Sequence, residues 1–392
     1  MPATENQGSF LGRISIRRNQ VVSMDGSHEQ ELEDLEIFQR TISDLFSDLL
    51  SSESSSSPPE PFLSISWVRK LLDVFLCCEA EFKAVLVICR EQALISKPPL
   101  DRLLPELLDR WVKALDICNA VMHGLDSVRE CQKLAEIAVA ALKHRPLNEG
   151  QAKRAKKALT GLLSAMGIDD KDGYGASSGG HRSTERTWSF GRRSGESTTT
   201  KDRSSGQFRS PWGFPKSWSA AKQIQAMSAN LVVPRGADSS GLPMPVYIMS
   251  IVTVLVMWAL VAVIPCQERA GLTPHFQVPR QMVWAQSMIA LQEKIGEEWK
   301  KKEKKGSALV GLMEEMQRME KLAQSLIEFA GGFRYPGEAE KMDEAAAQAA
   351  ELAETCRRME EGLVPLQQQI REVFHRIVRS RTEALDALDQ VG

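Results

Sequence analysis

Residues 245–266, PVYIMSIVTVLVMWALVAVIPC, form the most apolar part of the chain and are the strongest single indication of its fold. From Val246 to Ile264 no residue is charged, and only one tyrosine, one serine and one threonine are polar. As a helix, these 19 residues are just long enough to cross roughly 30 Å of hydrocarbon. A helix that is apolar on all sides also suits the centre of a helical bundle. The sequence leaves both alternatives open, a transmembrane helix and a buried core helix.

The membrane alternative predicts which residues of this segment contact lipid. Arginine lies beyond both ends, at Arg235 on one side and at Arg269 and Arg280 on the other. Charge therefore does not select an orientation across the bilayer. We predict a protein that is associated with a membrane through this single hydrophobic segment and is also present in the cytosol. The predicted membrane residues are Val246, Tyr247, Trp258 and Ile264.

Amphipathic helical patterns lie on both sides of the apolar segment. In residues 35–50, LEIFQRTISDLFSDLL, the apolar side chains recur on one helical face. Proline-containing breaks divide the region before the segment into four helices, and a lysine-rich run with glycine and proline breaks marks helices in the region after it. Helices with short connections favour antiparallel packing. Aromatic residues make up only 6% of the chain, which disfavours a large all-β fold. The predicted fold is all-α, with two antiparallel helical-bundle blocks joined by a disordered linker and one very apolar helix.

These patterns also give the expected organisation of the chain. A disordered arm, residues 1–28, precedes an N-terminal helical block, residues 29–168. A disordered basic linker rich in serine and tryptophan, residues 169–243, leads to the apolar helix, residues 244–266. The C-terminal helical block spans residues 275–392.

Local signals predict where individual helices begin. Ser27 and Gln30 have the spacing of a capping box, so the first helix should begin there. Asn148 is positioned to cap the fourth helix of the N-terminal block, which should end near Gly167. In the C-terminal block we expect a helix to start at Ser307. We expect two further, separate helices after Pro336.

The linker combines positive charge with aromatic side chains. It holds 11 basic and 7 acidic residues, in a composition that cannot bury enough apolar surface to fold alone. Tryptophan with arginine suits stacking on single-stranded nucleic acid, an anionic membrane surface or a docking motif for a protein partner. The alternative is that Trp212 and Trp218 fold back onto the helical block. The candidate interaction residues are Trp188, Arg192, Arg193, Trp212 and Trp218.

No pattern of catalytic or metal-binding residues is present in the sequence. None of the six histidines has a second ligand at metal spacing, and the seven cysteines include no CxxC pair. The cysteines lie mostly within apolar helical patterns, as in proteins of a reducing compartment. The amino terminus MPATENQGSF lacks the apolar core of a secretory signal. We expect no enzymatic activity, no cofactor and no small-molecule substrate.

Several motifs together resemble a plant family. They are the opening MPATENQGSFLGRISIRR, LEIFQRTISDLFSDLL in the first helix, SWVRKLLDVFLCCEAEFKAVL (66–86) and SWSAAKQIQAM (217–227). With the C-terminal helical block, these motifs resemble the BYPASS-related proteins, and within them the Roh-type branch that interacts with the exocyst. The resemblance extends over nearly the whole chain.

The resemblance carries expectations about function. It implies a plant protein without known enzymatic activity that binds Exo-type subunits of the exocyst and influences polarised secretion, including cell-wall and mucilage deposition. This places the protein at the plasma membrane or in the adjacent cytosol. A BYPASS-type regulator of a mobile root-derived growth signal is the alternative within the family. Nucleic-acid binding by the linker is the alternative of another class, and we expect no nucleic-acid partner.

Overall fold

The computed structural model describes residues 24–51, 61–88, 98–168, 218–234, 241–266, 272, 276–304 and 311–389. Within these ranges, side chains are described from residue 32 to residue 386. The described residues form α-helices and one short 3₁₀ helix, Val283–Ala285, and contain no β-strand. The all-α prediction is confirmed. The helices are α1 (Met24–Ser51), α2 (Ile65–Ile88), α3 (Leu100–Leu142), α4 (Glu149–Ala165), α5 (Ala220–Ser228), α6 (Pro243–Val263), α7 (Gln286–Lys304), α8 (Glu314–Gly332) and α9 (Ala339–Asp389).

The apolar helix α6 lies at the centre of the fold. Its most extensive contacts are with α3 and α2, and α5, α7 and α1 also pack against it. Every residue of α6 is buried by these neighbours. Helix α9 packs along α3 and α2, while α4 packs between α3 and α8. The hydrophobic effect therefore favours burial of α6 inside the bundle, as it would also favour burial in lipid.

The two helical blocks share this core. All the described helices belong to one compact unit. Within it, α2 and α3 of the N-terminal block pack against α6 and α9. Helix α7 of the C-terminal block packs against α1. The helices on either side of the linker therefore fold as one unit.

Polar groups within α6 are satisfied by the helix itself. The Ser250 hydroxyl donates a hydrogen bond to the Val246 carbonyl (3.0 Å), and the Thr253 hydroxyl donates one to the Met249 carbonyl (2.8 Å). Such bonds let hydroxyl groups be buried without a partner on another helix. The hydroxyl groups of Ser250 and Thr253 therefore need no partner outside α6.

Several predicted helix ends are confirmed, and others are wrong. The Asn148 side chain accepts a hydrogen bond from the Gln151 amide (2.9 Å), as expected of the residue that caps α4. Helix α1 begins at Met24, so Ser27 lies inside the helix rather than at its cap. Helix α8 begins at Glu314, seven residues after the predicted Ser307.

The largest difference concerns the last helix. The sequence suggests two helices after Pro336, but α9 is continuous for 51 residues and contains Pro365. Proline removes one backbone hydrogen bond and usually interrupts a helix. Here Leu363 and Leu366, on either side of it, are completely buried. Packing along α3, α2 and α8 therefore compensates for the local penalty.

Candidate functional site

Most of the predicted interaction residues lie outside the described part of the chain. This applies to Trp188, Arg192, Arg193 and Trp212. Trp218 is described, and it lies two residues before the start of α5. The predictions for these four residues therefore stay predictions. The structure instead describes the apolar helix and the helices that enclose it.

The four predicted membrane residues all lie inside the protein. Val246, Tyr247, Trp258 and Ile264 have 2% or less of their surface exposed. The Tyr247 ring meets the Trp284 ring edge to face, with centroids 6.3 Å apart, and Trp258 meets Phe276 in the same way. In this structure the side chains of α6 contact protein throughout. This is the buried alternative of the two that the sequence leaves open.

The carboxyl end of α6 is hydrogen-bonded by the chain that precedes α8. The amides of Leu312 and Met313 donate to the carbonyls of Ala262 (3.1 Å) and Val263 (3.0 Å). Carbonyls in the last turn of a helix have no partner within the helix. The protein thus supplies partners for the end of its most apolar helix, as a core helix requires.

Gly124 shows how closely α3 approaches this end of α6. A β-carbon at this position would lie 2.3 Å from the Pro265 carbonyl oxygen and 3.0 Å from the Ile264 side chain. Atoms cannot approach so closely, so any larger residue would push the two segments apart. The glycine in the middle of α3 is explained by this contact.

Helix α5 covers part of α6 and contains most of the SWSAAKQIQAM motif. Its residues Ala220, Ala221, Ile224 and Met227 are buried, and it packs against α6 and α3. The sequence predicts a short amphipathic helix within residues 215–232, with Ile224, Met227 and Leu231 on its apolar side. The structure confirms the helix and the burial of Ile224 and Met227, whereas Leu231 lies beyond the end of the helix and is only half-buried. The small alanines allow the α5 backbone to come close to its neighbours.

A buried arginine holds the end of α5. Arg110 of α3 is 4% exposed. Its Nε donates to the Met227 carbonyl (2.9 Å), and one of its terminal nitrogens donates to the Ala229 carbonyl (3.1 Å). Cations are favourable at the carboxyl end of a helix. Arg110 therefore fastens α5 onto α3 next to α6.

The electrostatics around Arg110 follow from its burial. Desolvation lowers the pKa of Arg110 from its ordinary value, and the Glu106 carboxylate partly opposes that shift. Glu106 accepts a hydrogen bond from Arg110 at 3.4 Å. Burial raises the pKa of Tyr247 on α6 to about 12, and the positive charge of Arg110 opposes this. Arg110 stays charged at physiological pH, and Tyr247 stays neutral.

Glu315 connects the start of α8 to the start of α2. Its carboxylate is 5% exposed and accepts hydrogen bonds from the Ile65 amide at 3.1 and 3.3 Å. Burial raises the pKa of Glu315 to about 7, although the Ile65 amide acts in the opposite direction. The residues from Leu312 to Glu315 thus bind both the end of α6 and the start of α2.

A second buried carboxylate joins α2 to α9. Glu79 is 1% exposed. It accepts a hydrogen bond from Ser380 and forms an ion pair with Arg376 at 3.1 Å. Like Arg110 and Glu315, it bridges helices that are distant in sequence. Spacing along one helix gives no signal for such partners, so the sequence analysis missed all three residues.

An open cleft of about 870 Å³ lies between α7 and α8. Lys294 lies over the Phe62 ring at its edge, 4.3 Å from the centroid. The other charges are largely paired, as in Lys301 with Glu298 (2.7 Å) and Arg318 with Glu314 (3.1 Å). Its lining holds five basic and four acidic side chains, so the cleft offers a ligand no large excess of either sign of charge. Among the described residues, no group of three histidine, cysteine, aspartate or glutamate side chains is placed to hold a metal ion.

Comparison with known proteins extends the resemblance seen in the sequence. The family model "Protein ROH1-like" matches residues 1–388. Over 410 aligned positions the chain is 58% identical to Protein ROH1A of Arabidopsis thaliana, covering 100% of this chain and 98% of the relative. It is 42% identical to Protein ROH1D of the same plant, over 99% of this chain and 98% of the relative. No solved structure matches.

Both relatives align from end to end, so the likeness includes the helical unit and the linker alike. This confirms the Roh-type resemblance that the motifs indicated. The chain belongs to the plant ROH1-like family of BYPASS-related proteins.

Proposed function

We propose that this protein is a non-enzymatic adaptor that binds exocyst subunits and influences polarised secretion, including cell-wall or mucilage deposition. Family membership indicates a plant regulator of the BYPASS type. The single observation that carries the proposal is the 58% identity over the full length to a ROH1 protein. The exocyst as partner rests on the Roh-type resemblance.

The buried polar groups support an adaptor rather than an enzyme. Arg110, Glu315 and Glu79 each form hydrogen bonds between helices. None of them lines the charged cleft between α7 and α8. Their contacts are those of residues that hold a scaffold in shape, which an adaptor needs in order to present a fixed surface.

Exocyst binding can be tested with purified protein and individual Exo-type subunits. We expect direct binding, and recovery of exocyst subunits from plant extract under mild detergent. If the linker is the docking motif, Trp188→Ala with Trp212→Ala weakens binding, whereas Phe190→Leu with Phe208→Leu has little effect. Recovery of no exocyst subunit in either assay would contradict the proposal.

The burial of α6 supports a protein that does not cross the membrane with this helix. Helix α6 has the length and hydropathy of a membrane span, but all of it is buried among other helices. We propose that the protein associates with the membrane from the cytosolic side. Alkaline carbonate should then release the wild-type protein from plant membranes. Retention after the carbonate wash would overturn this part of the proposal.

Two alternatives are separated by simple measurements. A BYPASS-type regulator of a mobile root-derived signal predicts that loss of the protein in the root alone alters shoot growth, which grafting measures. A nucleic-acid binder predicts oligonucleotide affinity that falls steeply with salt. The adaptor proposal predicts neither result.

A further inference from the structure

Helix α4 presents an exposed face of uniform positive charge. Its sequence EGQAKRAKKALTGLLSA contains four basic residues, and its single acidic residue is at the first position. Lys153, Arg154, Lys156 and Lys157, which we call the α4 basic face, are all exposed. The opposite side of the helix is buried through three alanines and three leucines. The orientation of α4 on the protein is therefore fixed, and its cations point to solvent.

The charges of the α4 basic face are not neutralised by neighbours. Among the residues that the structure describes, these four side chains form no ion pair or hydrogen bond. Glu149 lies in the first turn of α4, where the helix dipole favours an acidic residue. The Lys156 Nζ lies close to Gly331 at the carboxyl end of α8. The remaining three are available for an external partner.

Two loops extend the surface beside α4. The loop before α4 exposes Lys143 and Arg145. Leu147 and Ala152 pack against Ala330 and Phe333, so the loop that follows α8 lies next to the start of α4. That second loop carries the exposed Arg334 and also Tyr335, whose side chain is 63% exposed. An amphipathic aromatic residue thus lies beside the cluster of cations.

We infer that the α4 basic face binds the surface of an anionic membrane, with Tyr335 at the lipid interface. Each lysine or arginine near an anionic leaflet contributes about 1 kcal/mol, and tyrosine is enriched at the interface between lipid and water. The basic side chains project from the exposed side of α4. The charged cleft described above does not reach α4, so a flat partner fits better than a peptide in a groove.

A nucleic acid is a weaker match to this surface. Binding of single strands combines basic residues with several aromatic side chains on which successive bases stack. Tyr335 is the one exposed tyrosine, tryptophan or phenylalanine side chain beside the α4 basic face among the described residues, because Phe333 is buried and Phe329 is only partly exposed. Lipid binding at α4 also does not depend on the exocyst, because it uses only this chain and a membrane.

The test is sedimentation of the purified full-length protein with phosphatidylcholine vesicles, with and without phosphatidylserine. We expect the wild-type protein to bind only the anionic vesicles. Lys153→Glu with Lys157→Glu should weaken binding by at least about 30-fold, from two contacts of about 1 kcal/mol each. The matched control, Arg371→Glu with Arg379→Glu, makes the same change in charge at exposed positions of α9 and should change binding less than about two-fold.

Each other outcome overturns the inference. Failure of the wild-type protein to bind, or equal binding to neutral vesicles, excludes an electrostatic lipid site. Equal loss in the two variants shows that net charge, not the α4 basic face, is responsible. If the protein binds an oligonucleotide more tightly than the vesicles, and only the α4 variant weakens that binding, the surface belongs to nucleic acid.

Circular dichroism and thermal unfolding should match wild type for both variants, because the substituted side chains are all on the surface. Because no exocyst is present, failure here leaves the proposed function intact.

Discussion

At the scale of single residues, position 124 requires glycine because the backbone of another segment lies against it. Gly124→Ala places a β-carbon 2.3 Å from the Pro265 carbonyl oxygen. Overpacking typically costs about 1–3 kcal/mol, and a rigid backbone neighbour leaves little room to adjust. We expect the free energy of unfolding to fall by at least that amount, as measured by urea denaturation.

The control for Gly124 is Gly161, which also lies inside a helix. A β-carbon there would meet only Leu134, at 3.8 Å, so Gly161→Ala should stabilise the protein by about 0.5–1 kcal/mol through the lower chain entropy of alanine. Equal effects of the two substitutions would show that α3 does not pack against the end of α6 in solution.

Glu315 should make stability depend on pH. Its pKa in the folded protein is about 7, above the ordinary 4.5, so the folded state binds more protons than the unfolded state between these values. Stability then falls as pH rises from about 4.5 to 7. Since each pKa unit corresponds to about 1.4 kcal/mol, the total loss has an upper limit of about 3.5 kcal/mol.

Glu315→Gln should remove this dependence, because an amide oxygen still accepts from Ile65 and carries no charge. The variant should be more stable than wild type at pH 8 and similar at pH 4.5, as measured by thermal unfolding across pH. Glu328→Gln, at an exposed position of the same helix, serves as the control. An unchanged pH profile in the Glu315 variant would contradict the assignment.

At the scale of elements, the apolar periodicity predicts most helices. It does not predict where a helix continues through a proline or which side chains hold one helix against another. The apolar pattern predicts that α1, α2, α3 and α6 exist, although α1 begins three residues before the predicted cap at Ser27. It fails at Pro365, because packing of α9 on three other helices overrides a local rule. The clamp on α5 was also not predictable, since Arg110 and Met227 are 117 residues apart and no local spacing connects them.

Arg110→Met should loosen α5 while leaving α6 in place. The substitution removes the hydrogen bonds to two backbone carbonyls, and bonds to charged groups contribute about 1.5–3 kcal/mol each. Hydrogen exchange measured by mass spectrometry should show α5 amides exchanging at least about ten-fold faster, the ratio that corresponds to 1.4 kcal/mol. Amides of α6 should keep their protection.

Arg129→Met on the same helix is the matched control, because Arg129 has only a partly exposed ion pair with Asp126 at 3.8 Å. It should leave the exchange of α5 unchanged. Faster exchange of α5 and α6 together in the Arg110 variant would mean that the two helices open as one unit and that the clamp is not local.

At the scale of the whole molecule, the sequence predicts the helical class and the central importance of the apolar segment. It cannot choose between lipid and protein as the surroundings of α6, because both demand the same apolar surface. The choice depends on α2, α3 and α7, whose apolar faces converge on α6. Four candidate interaction residues of the linker lie outside the described ranges, and their role in binding stays a prediction: Trp188, Arg192, Arg193 and Trp212.

The reactivity of the cysteines tests whether the helices pack around α6 in solution. Cys77 is exposed, whereas Cys78, Cys118, Cys131 and Cys356 are buried. Burial also raises the pKa of Cys118 and Cys356 to about 12 and that of Cys131 to about 11, so few thiolates form there. Alkylation of the native protein, followed by peptide mass spectrometry, should therefore modify Cys77 and spare these four until denaturant is added. Rapid native alkylation of Cys118 would contradict the packed bundle.

The hydrogen bonds from Leu312 and Met313 to the end of α6 also have a consequence for folding during protein synthesis. Helices α2 and α3 leave the ribosome before α6 and can receive it at once. The two amides that complete its carboxyl end are made about fifty residues later. For that interval the nascent chain displays a segment of spanning length to the factors that deliver proteins to membranes. For α6 to reach the buried arrangement, the early helices have to pack around it before those factors engage it.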